Sequence, residues 1–128
     1  MSEFNIPIGT INQSETIVKL EDTASHFGSG LVEVFATPAM VAFMENTAHV
    51  CVQKFLPDTH VTVGTEINVK HLKATLVEKS VSCKAELIEQ KGSKLIFNIA
   101  CMEEDQLIGT ATHTRHIVNK EEFFDKIL

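Results

Sequence analysis

One stretch constrains the fold more than any other, because residues 36–57 predict a single long amphipathic helix. Thr37 can cap this helix with its hydroxyl, Pro38 suits its first position and Pro57 ends it. At about 100° per residue, one face of the helix is apolar. That face carries Met40, Val41, Met44, Ala48, Cys51, Val52 and Phe55. Glu45 lies at its edge, where a carboxylate either needs a partner or remains solvated at the rim.

Composition excludes several classes of protein. A chain of 128 residues with 44% hydrophobic content predicts one domain, residues 1–128, with a sizeable core. The formal charge of −6, without a basic block, argues against nucleic-acid binding. Neither a signal peptide nor an apolar run of roughly 18 residues is found, so no membrane association is expected. Cys51, Cys83 and Cys101 lie in apolar patterns and predict reduced core thiols in a cytoplasmic protein.

The segments on either side of the helix predict strands and one glycine-containing loop. Residues 10–20 predict a first strand, and residues 23–30 predict a loop that is either a mobile lid or an ordinary connector. In residues 61–72, alternation places four side chains on the same face as His71, and Gly64 permits a bulge. These four are Val61, Val63, Ile67 and Val69. His71 is therefore expected to face the helix.

Three further strands predict an antiparallel sheet. Residues 81–87, 95–101 and 107–118 alternate in polarity and are joined by hairpin signals, and residues 120–128 predict a short terminal helix. One helix and such a sheet make an α+β fold, with the sheet curled around the helix. Both faces of residues 95–102 carry apolar side chains, so we expect a homodimer or a higher oligomer.

This order of elements resembles the hot-dog fold of acyl-CoA thioesterases. Four short motifs narrow the resemblance to the fluoroacetyl-CoA thioesterase-like branch. They are Ala36-Thr37-Pro38, Met44-Glu45, Val63-Gly64-Thr65 and His71-Leu72 followed by Thr75. The matching region runs from Val32 to Val118, which is most of the chain.

The resemblance implies hydrolysis of a small acyl-CoA thioester. Thr37, Glu45 and His71 match the catalytic residues of the branch. The resemblance implies no metal and no cofactor, with coenzyme A present only as part of the substrate.

The resemblance also implies substrate-binding positions. The backbone of Gly64 is expected to approach the acyl group, and Arg115 is expected near the coenzyme A entrance. An aromatic lid has only Phe27 and Phe35 as candidates, so a short acyl group other than fluoroacetyl is favoured.

The spacing of Thr37 and Glu45 limits how these residues work together. They are eight positions apart on one helix, hence about 12 Å apart along its axis. Either the thioester and His71 bridge them, or the site is assembled across a dimer interface, which analogy with the hot-dog fold favours. Two other functions stay open: a non-catalytic module that binds an acyl-CoA, and hydration of an enoyl thioester. The second would need an Asp/His pair that the sequence does not offer at suitable positions.

Overall fold

The computed structural model describes residues 4–128, which contain five strands and three α-helices. The elements are β1 (Ile11–Ile17), a 3-10 turn (Leu20–Asp22), α1 (Ala24–Phe27), α2 (Thr37–Gln53), β2 (His60–His71), β3 (Ser80–Lys91), β4 (Lys94–Glu103), β5 (Gln106–Asn119) and α3 (Lys120–Ile127). The strands form one antiparallel sheet in the order β1-β3-β4-β5-β2. None of the helices in residues 4–128 is long and apolar enough to cross a membrane.

Helix α2 lies on the sheet and supplies the centre of the core, as the resemblance to the hot-dog fold implied. Its buried side chains face alternate residues of β3 and β4, because successive side chains of a strand point to opposite faces. The sheet contributes Val81, Cys83, Ala85, Leu87, Leu95, Phe97, Ile99 and Cys101, all buried. The predicted alternation of both strands is confirmed. The three cysteines are buried and free.

Helix α2 is shorter than predicted, and its buried face differs at four positions, one of which is the buried Ala39. It ends at Gln53, because the N–H groups of Phe55 and Leu56 donate to carbonyls three residues back and tighten the chain into a turn. Phe55 is exposed and Val41 is only half-buried. Thr47 is fully buried instead, because its hydroxyl donates to the Phe43 carbonyl at 2.8 Å.

A bulge in β2 decides which of its side chains face the helix. The pairing with β5 shifts between Gly64 and Glu66, so Thr65 is an extra residue. Thr62 is consequently buried, and the prediction that Val61 and Val63 share a face with His71 is wrong. Beyond the bulge the expected parity holds, with Ile67 and Val69 packed against the core.

Candidate functional site

Thr37 begins helix α2, and its hydroxyl faces the end of β2 rather than the helix backbone. The N-cap residue is Ala36, which has extended backbone angles and makes no side-chain capping bond. The expectation that Thr37 caps the helix is therefore wrong. Its Oγ1 lies 2.8 Å from Nδ1 of His71, the last residue of β2. A hydroxyl and an imidazole are thus hydrogen-bonded at a helix N-terminus.

His71 is held between a polar and an apolar neighbour. Its ring meets the buried ring of Phe35 edge-on, with centroids 6.5 Å apart. Within residues 4–128, its Nε2 is buried and has no hydrogen-bond partner. Burial lowers the pKa of His71 below the ordinary histidine value, so the neutral ring dominates at pH 7. A neutral imidazole beside a hydroxyl can act as a proton acceptor.

An open cleft of about 500 Å³ lies over this pair. Its walls come from α1, from the segment that leads into α2, and from the turn after β2. The lining residues are Ala24, Ser29, Val34, Phe35, Ala36, Thr37, Pro38, His71, Leu72, Lys73 and Ala74. The predicted loop at 23–30 contains a short helix, and its first residue, Thr23, forms a β-bridge with Phe35. Phe27 is half-exposed and does not line the cleft.

Glu45, Gly64 and Arg115 meet in a second cluster on the same helix and sheet. A methyl group built on Gly64 would lie 3.1 Å from Oε2 of Glu45, 3.1 Å from Nη1 of Arg115 and 3.2 Å from Cε1 of His113. The absent side chain of Gly64 therefore gives the carboxylate and the guanidinium room to approach the backbone.

Arg115 lies inside the molecule and is not part of the Thr37 cleft. Its side chain is 8% exposed, and it donates to both Oγ1 and the carbonyl of Thr62, at 2.8 and 3.0 Å. Burial lowers the pKa of Arg115, and the negative charge of Glu45 opposes that effect. The guanidinium lies against Gly64, where a methyl group would be 3.1 Å from Nη1.

The sequence did not single out His49, Thr62 and His113, although all three border the second cluster. Burial lowers the pKa of His49, and the nearby charge of Arg115 lowers it further. His49 lies one helical turn after Glu45, a spacing that indicates a shared face of the helix. Thr62 and His113 had no comparable signal, because their roles depend on how β2 and β5 pair.

The structure therefore divides the predicted site in two. Thr37, His71 and Phe35 form one group at the cleft, while Glu45, Gly64 and Arg115 form another further along α2. Among residues 4–128, no three His, Cys, Asp or Glu side chains are arranged to hold a metal ion.

Comparison with known proteins identifies the family. The family profile described as FlK, fluoroacetyl-CoA-specific thioesterase, matches residues 18–121. The fluoroacetyl-CoA thioesterase of Streptantibioticus cattleyicolor is 33% identical over 95 residues, which are 74% of this chain and 68% of that protein. The chain belongs to the FlK family of thioesterases. Thioester hydrolysis is the activity of that family.

Solved structures agree with membership of the FlK family. The structure of FlK superposes with a TM-score of 0.90 at 27% identity and covers 96% of each chain. A Thermus thermophilus protein described as a thioesterase superfamily member gives 0.87 at 25% identity, covering 96% of this chain and 93% of its own. A hot-dog-like protein from Thermanaerovibrio acidaminovorans gives 0.88 at 20% identity over 95% and 90% of the two chains. The fold is therefore the hot-dog fold.

Proposed function

We propose that this chain hydrolyses the thioester of a small acyl-CoA to a free acid and coenzyme A. The observation that carries the proposal is the 2.8 Å contact between Oγ1 of Thr37 and Nδ1 of His71 at an open cleft. Pairing a hydroxyl with a base is the usual way to activate a weak nucleophile. The relatives add support, since structures of FlK variants are described in complex with fluoroacetate and CoA and with acetyl-CoA.

In the proposed reaction, neutral His71 accepts a proton from Thr37 or from a water molecule. The oxygen that loses the proton attacks the thioester carbonyl carbon, the C–S bond breaks, and the coenzyme A sulfur leaves and takes up a proton. If Thr37 attacks, a water molecule then releases the acid from the acyl-enzyme. If water attacks, the acid forms directly. The partial positive charge at the start of α2 favours the oxyanion that develops on the carbonyl oxygen.

Glu45 completes the proposed site from a second copy of the chain. Gly64 and His71 are seven positions apart on β2, which is roughly 23 Å of extended strand. One acyl group cannot span that length. Strand β2 is an edge of the sheet, and within residues 4–128 its only strand partner is β5. Antiparallel pairing of two β2 edges about an axis near residues 67–68 would bring Gly64 and Glu45 of one copy to His71 of the other.

Arg115 and Gly64 then border the acyl group. A guanidinium that is 8% exposed and bonded to Thr62 is suited to fixing a small group inside the protein. The phosphates of coenzyme A need an exposed cation instead, and Lys73 on the rim of the cleft is placed for that role. In this proposal, the acyl end of the substrate binds at the second cluster, and its nucleotide end binds at the rim of the cleft near Lys73.

The test is thiol release from acetyl-, fluoroacetyl-, propionyl- and butyryl-CoA. We expect turnover of at least one substrate, and a loss of about a hundredfold in kcat with His71→Ala, since a positioned base contributes on that scale. His116→Ala is the matched control, because strand alternation puts His116 on the opposite face of β5 from Arg115. If no substrate is cleaved but an acyl-CoA still raises the melting temperature, the chain is a binding module instead.

A further inference from the structure

His113 uses both ring nitrogens in the second cluster, although nothing in the sequence distinguishes it from the other histidines. It is 1% exposed, and its ring packs against that of Phe97 with centroids 6.3 Å apart. Its Nδ1 lies 2.8 Å from the carbonyl oxygen of Glu66, and its Nε2 lies 3.1 Å from Nη1 of Arg115.

These two contacts define one tautomer. Arginine has only donors, so Nε2 of His113 must accept from Arg115. A carbonyl oxygen can only accept, so Nδ1 must carry the proton and donate it to Glu66. The ring is therefore neutral, with each nitrogen assigned to a different partner. Burial also lowers the pKa of His113, in agreement with the neutral form.

Both partners of His113 adjoin Gly64, one two residues further along β2 and the other paired with it on β5. Glu66 is the first residue of β2 to pair with β5 again after the bulge. The position of its carbonyl therefore depends on the conformation of the bulge. Arg115 lies opposite Gly64 in the β2–β5 register and points its Nη1 to it. One side chain thereby ties the bulged backbone to the guanidinium that faces it.

We propose that His113 is a positioning residue, whose fixed tautomer holds Arg115 and the Gly64 bulge in the geometry that receives the acyl group. This inference rests on the proposed function, because it assigns Gly64 and Arg115 to the acyl end of the site. His113 itself touches no reacting atom in this scheme. It acts through Arg115, so its effect on turnover should depend on Arg115 being present.

The variants that test this are His113→Phe, His113→Gln and the control His116→Phe. Phenylalanine keeps the packing on Phe97 but removes both hydrogen bonds, whereas glutamine retains one donor and one acceptor. With the fastest acyl-CoA of the panel, we expect His113→Phe to lower kcat about tenfold or more, because small misplacements in a site carry large penalties. His113→Gln should stay within about threefold of wild type, and His116→Phe should be unchanged.

Combining His113→Phe with Arg115→Met separates positioning from a general loss of structure. The double variant should be no slower than Arg115→Met alone, since the tie between the guanidinium and the bulged backbone is then already broken. Losses that multiply would overturn the inference, as would a kcat for His113→Phe equal to that of wild type.

Nitrogen-15 NMR of the wild-type imidazoles at pH 7.5 needs neither turnover nor a folded variant. We expect a protonated Nδ1 and an unprotonated Nε2 for His113, and the opposite tautomer would overturn the inference. Failure of the proposed function gives a different result, because wild type would then cleave no acyl-CoA. The tautomer found by NMR does not depend on that outcome.

Discussion

Two histidines with similar chemistry have different roles because their hydrogen-bond partners differ. Burial lowers the pKa of both His71 and His113. His113 uses each nitrogen for a fixed partner in this chain, so its proton cannot move without breaking a contact. His71 has one nitrogen on a hydroxyl at an open cleft and the other without a partner in residues 4–128. His71 is therefore the ring that is free to exchange a proton.

The pH dependence of turnover should report on His71. Because its folded pKa lies below 6.5, the ring is an unprotonated base at pH 7 and gains its proton only in acid. We expect kcat/KM to be flat above about pH 7 and to fall with a midpoint below 6.5. A midpoint above 6.5 would contradict the assignment of His71 as the base.

Unfolding must be measured alongside this pH profile. The folded pKa values of His49, His71 and His113 are all lowered, so the unfolded chain binds more protons in acid. Their contribution to the free energy of unfolding is complete above about pH 6.5 and is lost as pH falls below it. Circular dichroism at each pH separates a fall in activity from a loss of fold.

At the scale of elements, the sequence predicted the features that follow from periodic polarity and missed those that depend on contacts between elements. The apolar face of α2 and the alternation of β3 and β4 follow from local periodicity, so both were predicted. The burial of Thr47 was not predicted, because it depends on a contact with β1. There, Oγ of Ser14 lies 2.5 Å from the Thr47 hydroxyl. The inward side of β2 was assigned wrongly before Gly64, since one extra residue reverses strand parity.

The same reasoning explains the site. Thr37 and His71 were predicted from motifs, and each was placed at the end of an element where the structure has it. His113 was set aside, because its two partners come from β2 and from its own strand and are found only once the β2–β5 register is known. Local pattern therefore identifies the residues proposed to react, while the sheet register identifies the residue proposed to position Arg115 and the Gly64 bulge.

The contact between β5 and α2 depends on a missing side chain. A methyl group on Gly109 would lie 2.6 Å from both Sδ and Cε of Met40, which is fully buried, and 3.2 Å from the Lys70 carbonyl oxygen. Gly109→Ala should therefore lower the free energy of unfolding by about 1–3 kcal/mol, as overpacked cores do. Urea denaturation measures this change.

Met40→Ala and the double variant identify the cause of that change. Because Met40→Ala removes the clashing atoms, the double variant should lose less stability than the two single losses added together. Strict additivity would show that the strain comes from the Lys70 carbonyl instead. Gly92→Ala is a poor control because its backbone φ of 61° adds strain of its own.

At the scale of the whole molecule, the two halves of the proposed site lie where a second copy of the chain could bring them together. Each chain presents Thr37 and His71 at one end of β2 and Glu45 with Gly64 near its middle, and β2 is an edge strand. Two copies related by a two-fold axis through β2 would form two complete sites, each with one half from either chain. A single chain would then bind weakly and turn over slowly, because the carboxylate is about 12 Å from the threonine along α2.

Mixing two inactive variants decides whether the site is shared. Glu45→Gln and His71→Ala should each lower kcat strongly when pure. If each site takes Glu45 from one chain and His71 from the other, a mixed dimer contains one site with both residues intact and one with neither. Random mixing makes half of the dimers mixed, so about a quarter of wild-type turnover should return after the two proteins are unfolded and refolded together. If both residues act within one chain, every site keeps one defect and turnover stays at the level of the pure variants.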